Sequence, residues 1–176
     1  MALIHAILSA LSERACSGYD LAKQFDGSVG FFWKATHQQI YRELTRLEEK
    51  GLVSAEIISQ EGRPDKKLYR VTERGRKFLA DWIAQPSSMS PVKDELLVKL
   101  FAGHLVEKGI IIAELERHRH QHLERLSAYR QIEQKYFADP QALDLDEKFR
   151  YLTLRNGIGY EQEWLAWCSE AIAFLS

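Results

Sequence analysis

The chain has 176 residues, of which 45% are hydrophobic and 28% are charged, and its formal net charge is −1. This composition indicates one ordinary or two small globular domains with a buried core. No apolar run approaches the roughly 20 residues of a membrane-spanning helix, and the N-terminus lacks the features of a signal peptide. The near-neutral charge does not point to nucleic acid, so a DNA-binding interpretation depends on where the cations lie.

The first two predicted elements are short helices, over residues 3–11 and 19–25, separated by a loop at 12–18. A second loop, 27–33, carries three aromatic residues that we expect to pack it onto the small core rather than to stack on bases. The two cysteines, Cys16 and Cys168, form no CxxC pair. They indicate free thiols in a reducing cytosol rather than a disulfide or a metal site.

Both ends of the third predicted helix carry residues that are typical of helix caps. Thr36 and Gln39 have the spacing of a capping box, and Gly51 stands where a helix closes with a left-handed residue. An apolar stripe at i, i+4, i+7 spacing is formed by Ile40, Leu44 and Leu47. The opposite side is polar and suits base edges and phosphates in a major groove. The candidate DNA-contacting residues in and just before this helix are Lys34, Thr36, His37, Gln38, Gln39, Tyr41, Arg42, Thr45 and Arg46.

The apolar period then changes from 3.6 to 2, which predicts strands over 52–59 and 67–71 joined by a turn. The turn carries the cations Arg63, Lys66 and Lys67. Alone they would indicate a solvated turn, but their position after a cationic helix favours contact with the DNA backbone. Thr72 is expected to cap a helix over 73–85. The residues that we expect this helix to bury are Phe78, Leu79, Trp82 and Ile83.

A composition break at 86–91 predicts two domains, 1–86 and 87–176. The second is predicted to be helical over 92–108, 110–137 and 146–175, with an interruption at Gly109. Gly157 and Gly159 predict close helix contact or a kink. Wide apolar faces on two long helices imply a partner, most simply an identical subunit. The candidate dimerisation residues are Leu97, Leu100, Phe101, Leu115, Leu126, Tyr160, Trp164 and Trp167.

The predicted fold is therefore mainly α. An N-terminal winged helix-turn-helix, made of three helices, a two-stranded wing and a following helix, precedes long antiparallel helices that form a dimerisation domain. The dimer would place two third helices about one DNA turn apart on a pseudo-palindrome.

The chain resembles the PadR-type transcriptional regulators. Residues 17–22, 32–34, 39–53 and 61–75 carry the resemblance in the first half, and the Gly-Arg-Pro wing followed by Tyr-Arg-Val-Thr-Glu-Arg-Gly is specific. Residues 94–101 and 154–167 resemble the helical domain of the longer, virulence-activator branch. The resemblance implies a cytoplasmic homodimer that binds double-stranded DNA, often as a repressor, sometimes in response to a small aromatic compound. It implies roles in DNA binding for Tyr41, Arg46, Arg63 and Lys66.

The sequence also allows interpretations other than DNA binding. Glu114, His118 and His122 have i, i+4, i+8 spacing. Such residues often lie on a helix surface without a specific function, and the alternative is a role in metal binding or pH sensing. No GxSxG, HExxH, P-loop or GxGxxG motif is present, so neither an enzyme nor a cofactor is expected. A dimeric scaffold or sensor without DNA binding is disfavoured, because cations stand at 42, 46, 63 and 66.

Overall fold

The structure, a computed structural model, describes residues 2–26, 33–59, 65–89 and 93–176. It is mainly helical with one small antiparallel sheet, as the sequence predicts. The chain forms two compact units, Met1–Met89 and Ser90–Ser176. None of the described helices is long and apolar enough to cross a membrane.

The described residues of the N-terminal unit form four helices and three strands. The helices are α1 (Ala2–Glu13), α2 (Gly18–Asp26), α3 (His37–Glu49) and α4 (Glu73–Ile83). The strands are β1 (Cys16–Ser17), β2 (Val53–Ile58) and β3 (Lys66–Val71), in the order β1-β3-β2. The expected loop at 12–18 therefore contains a strand, with Cys16 opposite Tyr69. Two residues are too few to show a period of 2, so this strand depends on its pairing with β3.

Helices α1, α2 and α3 supply most of the core of the N-terminal unit, and the sheet and α4 complete it. Ile40, Leu44 and Leu47 are fully buried, which confirms the predicted stripe.

The prediction for α4 is wrong in part: Leu79 is buried, but Phe78, Trp82 and Ile83 are exposed. The reason is that α4 contacts α1 along a narrow face, where the ring of His5 stacks on Trp82 at 4.1 Å and on Phe78 at 5.3 Å.

The C-terminal unit consists of α5 (Glu95–Phe101), a 3₁₀ turn (Gly103–Leu105), α6 (Lys108–Tyr136) and α7 (Leu145–Leu175). The expected single helix over 92–108 is wrong, because the Asp94 side chain caps α5 and the chain leaves the helix at Ala102. Gly109 does not interrupt a helix either; it lies in the first turn of α6.

Helices α6 and α7 pack as an antiparallel pair. Close contact occurs at Gly157, where an added Cβ would lie 3.0 Å from Cε2 of Tyr129. Gly159 has no such neighbour within 4 Å, so only one of the two predicted glycine contacts is present. Apolar residues of α5, α6 and α7 form the core at one end of the pair, namely Leu96, Ile111, Leu115 and Cys168.

Candidate nucleic-acid interface

Helix α3 is fixed at both ends. Thr36 Oγ1 accepts the amide of Gln39 at 3.2 Å, and Gln39 Oε1 accepts the amide of Thr36 at 2.9 Å, so the predicted capping box is present. Gly51 has φ 66 and donates to the Glu48 carbonyl, while Leu52 donates to the Leu47 carbonyl. These two bonds make a Schellman motif. The helix therefore presents its outer face on a rigid backbone.

The outer face of α3 is polar and exposed. Because the core stripe fixes the rotation of the helix, the side chains at 38, 41, 42, 45 and 46 all face solvent. Tyr41 is 45% exposed. Lys34 and His37, at the N-terminal end, are exposed as well. The structure thus brings the predicted helix residues together on one surface.

Some of these side chains already have partners within the helix. Thr36 and Gln39 are engaged in the cap, so their first role is to position the helix. The Thr45 hydroxyl donates to the Tyr41 carbonyl at 3.2 Å, which leaves its oxygen as an acceptor. Gln38 and Arg42 lie one turn apart on the same exposed face of the helix.

The start of α2, at Gly18, contacts Tyr41 on the outer face of α3. A Cβ added to Gly18 would lie 2.4 Å from Cε1 of Tyr41. This close approach lets the Tyr41 ring lie over the first turn of α2, where Ser17 caps the helix by accepting the amide of Asp20 at 3.1 Å. A side chain at position 18 would therefore have to displace the Tyr41 ring.

Arg46 is held by an acidic residue on the core side of α3. Its Nη1 donates to Oε1 of Glu43 at 2.6 Å, and the Glu43 side chain is 9% exposed against 53% for Arg46. The carboxylate restricts the rotamers of the guanidinium while part of that group stays open to solvent. The i, i+3 spacing of the pair is visible in the sequence, so this contact was predictable.

The two predicted wing lysines are paired as well. Lys66 Nζ lies 2.9 Å from Oδ2 of Asp20, and Lys67 Nζ lies 2.7 Å from Oε2 of Glu48. The bond to Lys66 is the main cause that lowers the pKa of the Asp20 carboxyl, and the bond to Glu48 raises the pKa of Lys67. Arg63 lies outside the described residues. Sequence reasoning missed Asp20 and Glu48, because no local spacing connects them to the wing.

The C-terminal unit exposes several large apolar side chains. Among the predicted dimerisation residues, Phe101 is 93% exposed, Tyr160 54% and Leu97 38%. Leu115 is fully buried within the chain's own core, so its assignment to an interface is corrected. The remaining predicted residues are half-buried, namely Leu100, Leu126, Trp164 and Trp167.

The histidine cluster of α6 is divided between two environments. The Glu114 carboxylate accepts bonds from Arg117 and Lys99, which lower its pKa to about 2. His118 lies beside it, with a pKa lowered mainly by burial. His122 turns inward and is hydrogen-bonded to Glu161. Within the described ranges, no three His, Cys, Asp or Glu side chains gather where a metal ion could be held.

Comparison with known proteins matches both halves of the chain. The model of the "Transcriptional regulator PadR-like family" covers residues 7–81, and the model "Virulence activator alpha C-term" covers residues 92–176. A probable transcriptional regulator of Mycobacterium tuberculosis is 42% identical over 182 residues, which cover 97% of this chain and 95% of that protein.

Solved structures agree over the full length. Bacillus subtilis PadR in complex with operator DNA has a TM-score of 0.88 at 26% identity, with 100% of each chain covered. The same regulator has been solved with p-coumaric acid, at 25% identity and a TM-score of 0.78, covering 99% of this chain and 95% of that one. The Vibrio cholerae virulence activator AphA has a TM-score of 0.79 at 36% identity, covering 98% of this chain and 97% of that one. The chain therefore belongs to the PadR-like family of transcriptional regulators, in the branch with a C-terminal domain of the virulence-activator type.

Proposed function

We propose that this regulator is a homodimer that binds a pseudo-palindromic operator and represses transcription from it in the cytoplasm. The observation that carries the proposal is the exposed polar face of α3, set on a helix whose two ends and inner stripe are all fixed. A rigid helix of this kind loses little conformational freedom when it enters a major groove.

Within the proposed complex, the contacts divide into two kinds. Gln38, Arg42 and Arg46 face away from the core and are proposed to bond base edges, with Tyr41 and Thr45 beside them. Lys34, His37 and Arg63 are proposed to contact phosphates, which adds affinity but little sequence preference. Thr36 and Gln39 hold the end of the helix that enters the groove.

Dimerisation is proposed through the apolar surface of the C-terminal unit. Phe101 and Val98 project from α5 with exposed fractions of 93% and 70%, and Phe149 and Leu152 project from α7 with 63% each. Side chains of this size are costly to leave in water, so a second copy that covers them is favoured. A two-fold axis would also supply the second α3 that a pseudo-palindrome requires.

Repression and ligand response are supported by relatives. Bacillus subtilis PadR is a negative transcriptional regulator, and it has been solved with p-coumaric acid. We propose that a small aromatic compound binds this chain too, among the ring side chains of α7, where Trp164 and Trp167 lie 5.1 Å apart. Because AphA is an activator by name, a reporter gene is used to distinguish repression from activation.

A selection from random DNA with the purified full-length protein tests the central proposal. The expected product is an inverted repeat whose half-sites lie about one helical turn apart, bound by two chains per site in sedimentation. A reporter gene behind that site should be repressed, and p-coumaric acid serves as the first probe of ligand response. Failure to enrich any sequence, together with a monomer in solution, would reject the proposal.

A further inference from the structure

Two consecutive lysines tie the outer end of the β-hairpin to both helices of the helix-turn-helix. Lys66 and Lys67 are the first residues of β3, and they pair with the last two residues of β2. Successive side chains of a strand point to opposite faces. In agreement, Lys66 reaches Asp20 in the first turn of α2, while Lys67 reaches Glu48 in the last turn of α3.

The acidic partners are themselves fixed. Asp20 Oδ2 accepts the hydroxyl of Ser17 at 2.8 Å, and the Ser17 oxygen accepts the Asp20 amide, so the carboxylate is held at the start of α2. The backbone at Glu48 is fixed because its carbonyl accepts the amide of Gly51 at the helix end. Lys66 therefore binds a carboxylate oxygen that is held at the start of α2, and Lys67 binds a side chain that extends from a fixed backbone at the end of α3.

An ammonium group that is already paired is a poor phosphate ligand. To contact DNA it must leave its carboxylate, which would then stand unpaired near the phosphate and repel it. The wing lysines therefore gain little from phosphate contact, whereas the bridges set the distance between the hairpin and α3.

We propose that Lys66–Asp20 and Lys67–Glu48 are positioning pairs for DNA binding, which hold the wing at a fixed place beside α3 and stay intact in the complex. This inference rests on the proposed DNA-binding function. It assigns a role to Asp20 and Glu48, and it replaces phosphate contact as the role of the two lysines.

Salt dependence distinguishes positioning from phosphate contact. Each lysine that neutralises a phosphate adds about 0.9 to the slope of log affinity against log salt. Lys67→Gln in the full-length protein should weaken binding to the selected operator about two- to five-fold, as expected for an exposed pair, with the slope unchanged. Arg70→Gln, at an exposed cation of the same strand, controls for the general loss of positive charge.

The acidic side has its own matched control. Glu48→Gln and Glu49→Gln remove neighbouring carboxylates, but only Glu48 bonds a wing lysine. Because less negative charge favours DNA binding in general, Glu48→Gln is compared with Glu49→Gln. Positioning predicts weaker binding for Glu48→Gln than for Glu49→Gln, whereas a Lys67 freed to bind phosphate would give tighter binding.

A charge exchange completes the test. Lys67→Glu alone should weaken binding, and Lys67→Glu with Glu48→Lys should return to within about two-fold of the wild type at the same salt slope. Thermal unfolding of each variant confirms that it folds. A slope lower by about 0.9 in Lys67→Gln, or an exchange variant as weak as Lys67→Glu, would overturn the inference. Wild-type protein that binds no DNA would overturn the proposed function first, before any variant is compared.

Discussion

His122 of α6 and Glu161 of α7, 39 positions apart in the chain, are hydrogen-bonded in the interior of the helix pair. Their exposed fractions are 5% and 2%. The His122 ring also stacks on Trp164 with centroids 4.9 Å apart, and Arg125 Nη1 lies 3.7 Å from the second Glu161 oxygen. A polar pair at this depth fixes the register of α6 against α7, because sliding either helix would leave a buried polar group without its partner.

Removal of one member of this pair should be costly. We expect Glu161→Ala to lower the free energy of unfolding by roughly 3–5 kcal/mol, because the imidazole loses its buried partner. Glu163→Ala, on the exposed side of the same helix, should change it by less than about 0.5 kcal/mol. Urea unfolding at equal protein concentration measures both values. Equal effects of the two substitutions would contradict the structural role of the pair.

Gly75, in the first turn of α4, lies against the backbone that leads into β2. A Cβ at Gly75 would lie 2.1 Å from the carbonyl oxygen of Leu52, which is backbone and cannot move aside cheaply. Gly75→Ala should therefore destabilise the N-terminal unit by about 1–3 kcal/mol or more. Gly109→Ala, where no heavy atom lies within 4 Å, is the control in thermal unfolding. A neutral Gly75→Ala would contradict the close packing of α4 against the Leu52 carbonyl.

The contact between Gly18 and Tyr41 should make operator binding by the outer face of α3 depend on the packing of α2. Gly18→Ala is expected to displace the Tyr41 ring and weaken operator binding, because the added Cβ overlaps the ring edge. If Gly18→Ala weakens operator binding by displacing the Tyr41 ring, it should weaken binding little further in a Tyr41→Ala variant. A double-mutant cycle of operator affinities measures this coupling. Additive losses would mean that Gly18 acts without Tyr41.

Arg42, within α3, and Lys34, just before the N-cap of α3, should contribute differently to DNA binding. Arg42→Ala should change base preference at one position of each half-site, by roughly 1–3 kcal/mol for a good bidentate contact. Lys34→Ala should weaken operator and random DNA alike, with a shallower salt slope. Random-site selection and salt titrations with both variants provide the measurement. Unchanged preference in Arg42→Ala would reject its assignment to a base.

Acid stability should report on Glu114. Its pKa is lowered to about 2 by the bonds from Arg117 and Lys99. A carboxyl whose folded pKa lies below its ordinary value contributes stability above that ordinary value, and the contribution is lost as pH falls toward about 2. Glu114→Gln should therefore flatten the pH dependence of unfolding below about pH 4.5, where the ordinary glutamate titrates. Glu116→Gln, at an exposed position of the same helix, should leave the profile unchanged.

Local patterns in the sequence predicted the elements closest to the proposed function. The capping residues of α3, its buried stripe and the two long strands of the hairpin follow from spacing alone, because cap bonds and periodicity act within a few residues. The burial predicted for α4 was wrong in part, because the helix carries more large apolar residues than its contact with the core can cover. Phe78, Trp82 and Ile83 were assigned to the interior of α4, yet they remain exposed beside a single buried Leu79.

The family, the fold class and the polar face of α3 can be read from the amino-acid sequence, since they depend on motifs and short-range periodicity. Which charged groups are already paired is seen only once the helices and strands are packed together. Lys66 and Lys67 look equivalent to Arg63 in the sequence, but Asp20 and Glu48 reach them from helices distant in the chain. His122 likewise shows its buried partner only when α6 and α7 are packed together. Ion pairs between elements depend on distances that chain order does not encode.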